Sequence, residues 1–252
     1  MRGPSAGWRA AERVVRTAGL AALTLARSWR PDQSPEGAHD RAALLAEVSR
    51  RALAIHGVEV LASGFPPSGP ALLVSNHLSY LDPLVLLAQT ACIPISKSQV
   101  ASWPMFGDVA RRAGVLFVER SSAASRLAVL HAAEAVLREG AVVLNFPEGT
   151  TGDGSTVLPF RKGLFGLART LRIPVVPAAL RYWPRELAWT GAATFLPHYL
   201  GLARREGCAA EVAFGEPIPS QAHPSAERLA EAARLRTLSL LEDRSAWLRT
   251  AR

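Results

Sequence analysis

Short apolar runs alternate with helix-like stretches between residues 57 and 220, and this alternation constrains the fold more than any other feature. The apolar runs that are typical of strands cover residues 57–62, 71–74, 114–118, 141–146, 175–180 and 211–214. The helix-like stretches cover residues 83–90, 106–113, 122–139, 162–171 and 185–202. Strands that alternate with helices in this way build a mostly parallel sheet. We therefore expect an α/β fold with a mostly parallel central sheet flanked by helices.

The size and charge of the chain narrow the function classes. Its 252 residues suffice for one α/β domain or two small ones. The net charge of +8 favours anionic partners such as nucleic acid, membrane headgroups or phosphorylated substrates. The two cysteines, Cys92 and Cys208, have neither zinc-site spacing nor a disulfide framework, so we expect a reducing compartment.

Residues 8–29 have the periodicity of an amphipathic helix. One face carries arginines and a threonine, and the other carries Trp8, Ala11, Val15, Ala18, Ala22, Leu25 and Trp29. Tryptophan on the apolar face and arginine on the polar face are typical of a helix that lies in a membrane interface. The alternative is an ordinary surface helix that packs on the domain. We predict a membrane-associating segment at residues 1–32, followed by a domain at residues 33–252.

The stretch from Ala71 to Pro83 contains the first candidate for chemistry. His77 follows an apolar run directly, and the carboxyl ends of strands are where open α/β sheets bind ligands. Asp82 lies five residues further on and, with Pro83 behind it, has the pattern of a helix N-cap. A carboxylate behind a histidine fixes the tautomer that a general base requires. The alternative is that Asp82 only caps a helix and His77 only fills a turn.

Three further polar clusters lie at predicted strand ends. Arg120 follows the run 114–118, and Glu148 follows the run 141–146 in a glycine-rich loop. Glycine allows a ligand to approach the backbone closely. Lys162 opens a helix whose free amide groups would favour an anion. Taken singly, each cluster is equally consistent with a solvated arginine or an ordinary turn.

Taken together, these clusters resemble the four sequence blocks of the glycerolipid acyltransferases, in order and spacing. The matching segments are Asn76-His-x4-Asp82, Gly114-x2-Phe-x2-Arg120, Phe146-Pro-Glu-Gly-Thr150 and Ile173-Pro-Val-Val-Pro177. Further similarity lies at Lys97, Pro104-x-Phe-Gly107 and Phe160-x-Lys-Gly163, so the resemblance covers roughly residues 56–220. Four ordered blocks are far more specific than any single motif.

The resemblance implies an O-acyltransferase that uses acyl-CoA or acyl-carrier protein as co-substrate, without a metal or a bound cofactor. In that mechanism His77 is the general base and Asp82 orients it. Contacts to the acceptor would come from Glu148, Gly149, Thr150 and Arg120, with Lys97 or Lys162 beside the phosphate. The lipid acceptor and the membrane surface are the other expected partners, with the enzyme peripheral on the cytoplasmic face of the cell membrane.

The expected acceptor is 1-acylglycerol 3-phosphate, which would give phosphatidate. One departure bears on it, because Thr151 stands where the family usually has arginine. The segments 150–161, 189–191 and 195–198 resemble a bacterial lysophospholipid acyltransferase subgroup that grades into enzymes acylating lyso-ornithine lipid. Lyso-ornithine lipid is therefore the alternative acceptor.

Three other function classes compete with this interpretation. A non-catalytic lipid-binding protein predicts erosion of the base or its orienting carboxylate, yet His77 and Asp82 are both present. A thioester hydrolase would leave Arg120 and Glu148 without a purpose. Nucleic-acid binding suits the charge, but the predicted strand ends offer no aromatic stacking platform, so we expect no nucleic-acid partner.

Overall fold

Seven strands form one sheet in the computed structural model, which describes residues 5–28, 37–103, 106–189 and 194–243. The strands are β1 (Val58–Ser63), β2 (Ala71–Ser75), β3 (Cys92–Lys97), β4 (Leu116–Val118), β5 (Val142–Asn145), β6 (Val175–Trp183) and β7 (Cys208–Phe214). Their order across the sheet is β1-β7-β6-β2-β5-β3-β4, and every pairing is parallel except that of β6 with β7. The expected mostly parallel α/β sheet is confirmed.

Helices surround this sheet in two groups. They are α1 (Ala6–Ser28), α2 (Ala38–His56), α3 (Asp82–Gln89), α4 (Phe106–Arg112), α5 (Ala123–Arg138), α6 (Gly163–Leu171), α7 (Phe195–Arg204) and α8 (Ala226–Glu242). Helix α2 contacts α1 and α3, and α1 also contacts α4 and α7, whereas α6 contacts α5 and α8. All five residues of β2 are buried, which explains why this strand reads as a continuous apolar run.

Strand β3 was not predicted from the sequence, because a proline interrupts its apolar run. Proline cannot donate a ladder hydrogen bond and normally argues against a central strand. The register explains why Pro94 is tolerated, since Cys92–Pro94 face β5 whereas Ile95 to Lys97 face β4. Pro94 therefore lies where the strand changes its partner.

The predicted helix at residues 185–202 is shorter than expected. A single helical turn covers Arg185–Leu187, and α7 begins only at Phe195, with residues 190–193 outside the described part of the chain. The last helix, α8, ends at Glu242, and the described part of the chain ends one residue later.

Helix α1 matches the amphipathic helix expected near the N-terminus. Its apolar side chains Trp8, Val15 and Leu23 are 67%, 70% and 63% exposed. Arg9 and Arg13, which belong to the predicted polar face, instead turn toward the end of α7 and donate to backbone carbonyls there. The apolar face is therefore the outer one, whereas Trp29 lies outside the described residues. Among the described helices, none has both the length and the apolar character needed to cross a membrane.

Candidate active site

The carboxyl edge of the parallel strands gathers most of the predicted site residues. His77 follows β2, and Glu148 follows β5, which is the neighbour of β2 in the sheet. Lys97 ends β3, and Arg120 follows β4 at the edge of the sheet. Parallel strands place their carboxyl ends side by side, so these four side chains share one edge. The unpredicted strand β3 is what inserts Lys97 between Glu148 and Arg120.

His77 and Asp82 form the hydrogen bond that their spacing predicts. Nδ1 of His77 lies 2.7 Å from Oδ2 of Asp82, whose side chain is completely buried. A carboxylate can only accept at this contact, so Nδ1 carries the ring proton and Nε2 keeps a free lone pair. The His77 side chain is 18% exposed and lines a cleft. The arrangement is that of an oriented general base with access to a ligand.

Asp82 is the first residue of α3 rather than its N-cap, because Leu81 occupies the cap position. Its carboxylate bonds to the preceding loop instead, accepting from the amides of Leu78 at 2.6 Å and Ser79 at 2.9 Å. The other oxygen, Oδ1, accepts the hydroxyl proton of Tyr182 on β6 at 2.7 Å. Four donors therefore fix one buried carboxylate, and it has no freedom to turn away from His77.

The loop that carries His77 is anchored on both sides. The side-chain amide of Asn76 pairs with both backbone groups of Leu180 on β6, at 3.1 and 2.8 Å. The amide of Gly152 donates to the carbonyl of His77 at 2.7 Å. The ring of Phe146 stacks on the imidazole with centroids 4.3 Å apart. Asn76 therefore has a structural role in holding the base, and sequence reasoning had assigned it none.

Glu148 lies directly behind His77. Its Oε1 accepts from the backbone amide of His77 at 3.2 Å, and the residue is 5% exposed. Burial, with a smaller contribution from the Asp82 carboxylate, raises the pKa of Glu148 to about 7. The protonation state of this carboxyl thus changes near neutral pH.

Three cationic side chains lie near His77. Lys97, Arg120 and Arg161 line one pocket of about 520 Å³. Partial burial, together with the charges of Arg120 and Arg161, lowers the pKa of Lys97. Arg120 also donates to the carbonyl of Gly149. Within the described residues none of the three forms a salt bridge, so the cluster can bind an anion.

Arg161 takes the place in this cluster that the sequence had suggested for Lys162. Nζ of Lys162 points away to Glu227 of α8, at 2.5 Å, and its side chain is 67% exposed. Arg161 lies against Gly149, whose φ is +79° and where an added Cβ would be 2.8 Å from the guanidinium Nε. The only sequence signal for Arg161 was its position one residue before Lys162.

A second, apolar cavity of about 200 Å³ adjoins the cleft of His77. The cleft has a volume of about 350 Å³, and Lys97, Arg120, Thr150 and Thr151 line it together with the base. Six residues belong to the walls of both: Tyr80, Pro83, Ile95, Ser96, Val100 and Trp103. The apolar cavity extends from there between α1, α2, α3, α4 and α7. The base therefore lies where a charged cleft meets an apolar cavity.

Known proteins resemble this chain over most of its length. A lyso-ornithine lipid O-acyltransferase from Pseudomonas aeruginosa is 33% identical over 72% of this chain and 72% of the relative. A lyso-ornithine lipid O-acyltransferase from Rhodobacter capsulatus is 34% identical over 90% of this chain and 87% of its own. A 1-acyl-sn-glycerol-3-phosphate acyltransferase from Neisseria gonorrhoeae is 34% identical, but over 53% of this chain and 50% of its own.

The fold also has a counterpart among solved structures. The crystal structure of a 1-acyl-sn-glycerophosphate acyltransferase from Thermotoga maritima matches with a TM-score of 0.67 at 22% identity, covering 93% of this chain and 98% of that one. The family model described as Acyltransferase matches residues 53–181, the segment that contains His77, Asp82, Arg120 and Glu148. The resemblance found in the sequence motifs is confirmed, and this chain belongs to the acyltransferase family that acts on lysolipids.

Proposed function

We propose that this protein transfers a fatty acyl group from an acyl thioester to the free hydroxyl of a lysolipid. The observation that carries the proposal is the position of His77, whose Asp82-bound ring opens onto a charged cleft that joins an apolar cavity. The cleft suits a polar headgroup and the cavity suits a hydrocarbon chain. A base at their junction suits a reaction between the two.

In the proposed reaction, Nε2 of His77 takes the proton of the acceptor hydroxyl as that oxygen attacks the thioester carbonyl. A new C–O bond forms, the C–S bond breaks, and the leaving thiolate takes the proton from the imidazolium of His77, which restores the base. Asp82 stabilises the imidazolium that exists between these steps. A positioned base of this kind contributes about 10²–10⁴-fold. A thiol is a far stronger acid than an alcohol, so the leaving group needs little acid assistance.

The preferred acceptor is lyso-ornithine lipid. In the sequence comparisons, the relatives with that name match 69–90% of this chain, whereas those named for 1-acylglycerol 3-phosphate match about half of it. Thr151 at the position of the motif arginine supports the same choice, since a carboxylate headgroup needs fewer cations than a phosphate. In this assignment Arg120 binds the carboxylate of the headgroup.

The second candidate acceptor is 1-acylglycerol 3-phosphate, with phosphatidate as the product. Three positive charges from Lys97, Arg120 and Arg161 around one pocket favour a doubly charged phosphate. Arginine provides a planar bidentate contact to phosphate, and lysine provides a point charge. In this assignment Arg161 supplies the charge that Thr151 lacks.

The site is expected to operate at a membrane surface, because both lipids reside there. The exposed face of α1 would enter the interface with Trp8, Val15 and Leu23. Leu196 of α7 is also exposed, at 61%, and α7 packs beside α1. Both helices contribute to the wall of the apolar cavity, which places the proposed acyl-chain site next to the membrane-facing element.

The test offers labelled acyl-CoA or acyl-carrier protein to purified protein with a panel of lysolipids. The panel contains lyso-ornithine lipid, lysophosphatidate, lysophosphatidylcholine and lysophosphatidylethanolamine, and products are separated and identified by mass. We expect labelled diacyl product, with lyso-ornithine lipid used fastest. Faster use of lysophosphatidate would transfer the assignment to the second candidate. Release of free fatty acid alone would indicate a hydrolase, and an absence of any product would contradict acyl transfer.

A further inference from the structure

The pocket of the cation cluster also contains a carboxylate. Glu119 precedes Arg120 in the chain, and both residues line this pocket together with Lys97 and Arg161. Among the described residues of the pocket wall, Glu119 is the one acidic side chain. Within the described part of the chain it forms no ion pair. The pocket therefore presents both signs of charge, and no ion pair between the described side chains joins them.

Neutral donors hold this carboxylate in its ionised form. Oε1 of Glu119 accepts from the hydroxyl of Ser121 at 2.8 Å and from its backbone amide at 3.3 Å. Oε2 accepts from the hydroxyl of Ser98 at 2.8 Å. The hydrogen bonds from Ser121 and Ser98 lower the pKa of Glu119. Serine fixes a carboxylate in place without compensating its charge, so Glu119 is able to pair with a cation.

Two indole rings lie on the same wall. Trp103 and Trp189 line both this pocket and the cleft of His77, and their ring centroids are 6.0 Å apart. Tryptophan is the aromatic side chain that attracts a cation most strongly, provided that the cation lies within about 6 Å of the ring. The pocket thus offers a carboxylate and aromatic rings to an ammonium group.

The positive cluster restricts which ligands can use this offer. A cation without an anion of its own would be repelled by Lys97, Arg120 and Arg161. A ligand that carries an anionic group can neutralise the cluster and then place an ammonium beside Glu119. The combination of charges therefore suits a molecule that has both.

We propose that this pocket recognises a zwitterionic headgroup and that Glu119 binds its primary ammonium. The carboxylate of the same headgroup would lie on Arg120 and Arg161. The inference rests on the proposed function and deepens the choice of lyso-ornithine lipid as the acceptor. Ornithine that is acylated on its α-amine keeps its carboxylate and, across a short methylene chain, an amine that is protonated at neutral pH like that of lysine. Lysophosphatidate carries no such ammonium.

The alternative is that Glu119 only ties two segments of the protein together. Its contact with Ser98 joins the end of β4 to the helical turn Ser98–Ser102, which follows β3. Loss of a tie of that kind would lower stability or the overall rate equally for every acceptor. Loss of an ammonium site would affect only acceptors that carry an ammonium. A ratio of two acceptors measured on one protein separates these roles, because general damage divides out.

The test compares lyso-ornithine lipid with the same lipid acetylated on its terminal amine. The acetyl group removes the positive charge and keeps the carboxylate, the chain and the accepting hydroxyl. Competition between the two acceptors for labelled acyl-CoA, with the full chain as enzyme, gives the ratio of their kcat/KM values. We expect the wild type to favour the free amine by about five- to twentyfold, because an exposed ion pair and a cation–π contact each contribute modestly.

A single substitution with a matched control assigns the preference to Glu119. Glu119→Gln keeps the size of the side chain and an oxygen that accepts from serine, but it loses the charge. We expect the ratio to fall below about threefold in this variant. Glu134→Gln on α5 removes a surface carboxylate that pairs with Arg138 and does not line the pocket, so it should keep the wild-type ratio.

The outcomes separate this inference from the proposed function. Equal use of both acceptors by the wild type would overturn the inference and leave acyl transfer intact. An unchanged ratio in Glu119→Gln would also overturn it, since the ammonium would then bind elsewhere. If Glu119→Gln fails to fold, the wild-type ratio still decides, because a value near one excludes an ammonium site. An absence of any acylated product would overturn the proposed function and this inference together.

Discussion

Tyr182 donates its hydroxyl proton to Asp82 at 2.7 Å, although 100 residues separate the two in the sequence. Tyr182 lies on β6 and Asp82 opens α3, so the contact crosses from the sheet to the loop of the base. It occupies Oδ1 and leaves Oδ2 for Nδ1 of His77. The orientation of the base therefore depends on a strand outside the motif that contains it.

Replacing Tyr182 by phenylalanine tests this dependence. The change leaves one buried oxygen of Asp82 without its donor, which should cost about 1–3 kcal/mol of unfolding free energy. We expect kcat to fall by about tenfold, with the KM values for both substrates nearly unchanged, because the residue acts on the base and not on a ligand. Asp82→Asn should reduce kcat far more, since it disturbs the tautomer itself. Wild-type kcat in Tyr182→Phe, measured beside urea unfolding, would contradict a positioning role.

The basic cluster can be tested by single substitutions with a neighbouring control. Arg120→Ala and Arg161→Ala should each raise the acceptor's KM by about ten- to a hundredfold, because a charge-assisted contact is worth roughly 1.5–3 kcal/mol. The thioester's KM should change little. Lys162→Ala, whose side chain points to Glu227, should stay within about twofold of the wild type. The KM values are measured by steady-state kinetics with each substrate varied in turn. An equal change in the acceptor's KM for Arg161→Ala and Lys162→Ala would contradict a role for Arg161 in acceptor binding.

The outer face of α1 predicts how the protein binds membranes. Replacing Trp8, Val15 and Leu23 together by serine should weaken binding to anionic vesicles by at least about tenfold, because the burial of apolar side chains drives this binding. Salt should have a limited effect, since Arg9 and Arg13 are engaged with α7. Vesicle co-sedimentation measures both effects.

A matched control uses exposed apolar residues elsewhere. The control variant replaces Phe65, Leu127 and Leu235 by serine. These side chains are 88%, 55% and 51% exposed, and they lie outside α1 and α7. Vesicle binding should persist in this triple variant. An equal loss in both triple variants would show that α1 is not the membrane-facing element.

Glu148 predicts a pH-dependent stability. Its pKa rises from the ordinary 4.5 to about 7, so the folded protein holds this proton more tightly than the unfolded chain. The resulting stabilisation is complete below about pH 4.5 and is lost as the pH rises through 7. Glu148→Gln stays neutral, so at pH 8 its unfolding free energy should exceed that of the wild type by at most about 3 kcal/mol, and it should unfold at a higher temperature. At pH 5 the two proteins should unfold at similar temperatures. Thermal unfolding at both pH values measures this, and a variant less stable than the wild type at pH 8 would contradict it.

The motifs predicted which polar residues lie at the carboxyl edge of the sheet, but they did not predict the order of the strands. His77, Glu148 and Arg120 follow runs that read as strands, so their common edge was predictable. The order of strands was not, because parallel neighbours are far apart in the sequence and β3 is hidden by Pro94. Without β3, the place of Lys97 between Glu148 and Arg120 had no basis beyond the family resemblance.

Residues that act through long-range contacts left no local signal. Tyr182 lies two residues beyond the predicted strand 175–180, and its bond to Asp82 exists only once β6 pairs with β2. Arg161 and Lys162 are adjacent in the sequence, just before α6 begins at Gly163. Arg161 lines the pocket of the cation cluster, whereas Lys162 points toward α8. The orientation of α1 likewise depends on α7, which receives Arg9 and Arg13.

A single-site variant tests most directly whether His77 is the base for acyl transfer. Acyl transfer from labelled acyl-CoA to the best lysolipid acceptor is measured at saturating substrate for the wild type and His77→Ala, with thermal unfolding recorded for both. We expect the variant to lose about 10²–10⁴-fold or more in kcat while unfolding at nearly the wild-type temperature, since the ring is at the surface of the cleft. Turnover near the wild-type rate in a folded His77→Ala protein would contradict the mechanism.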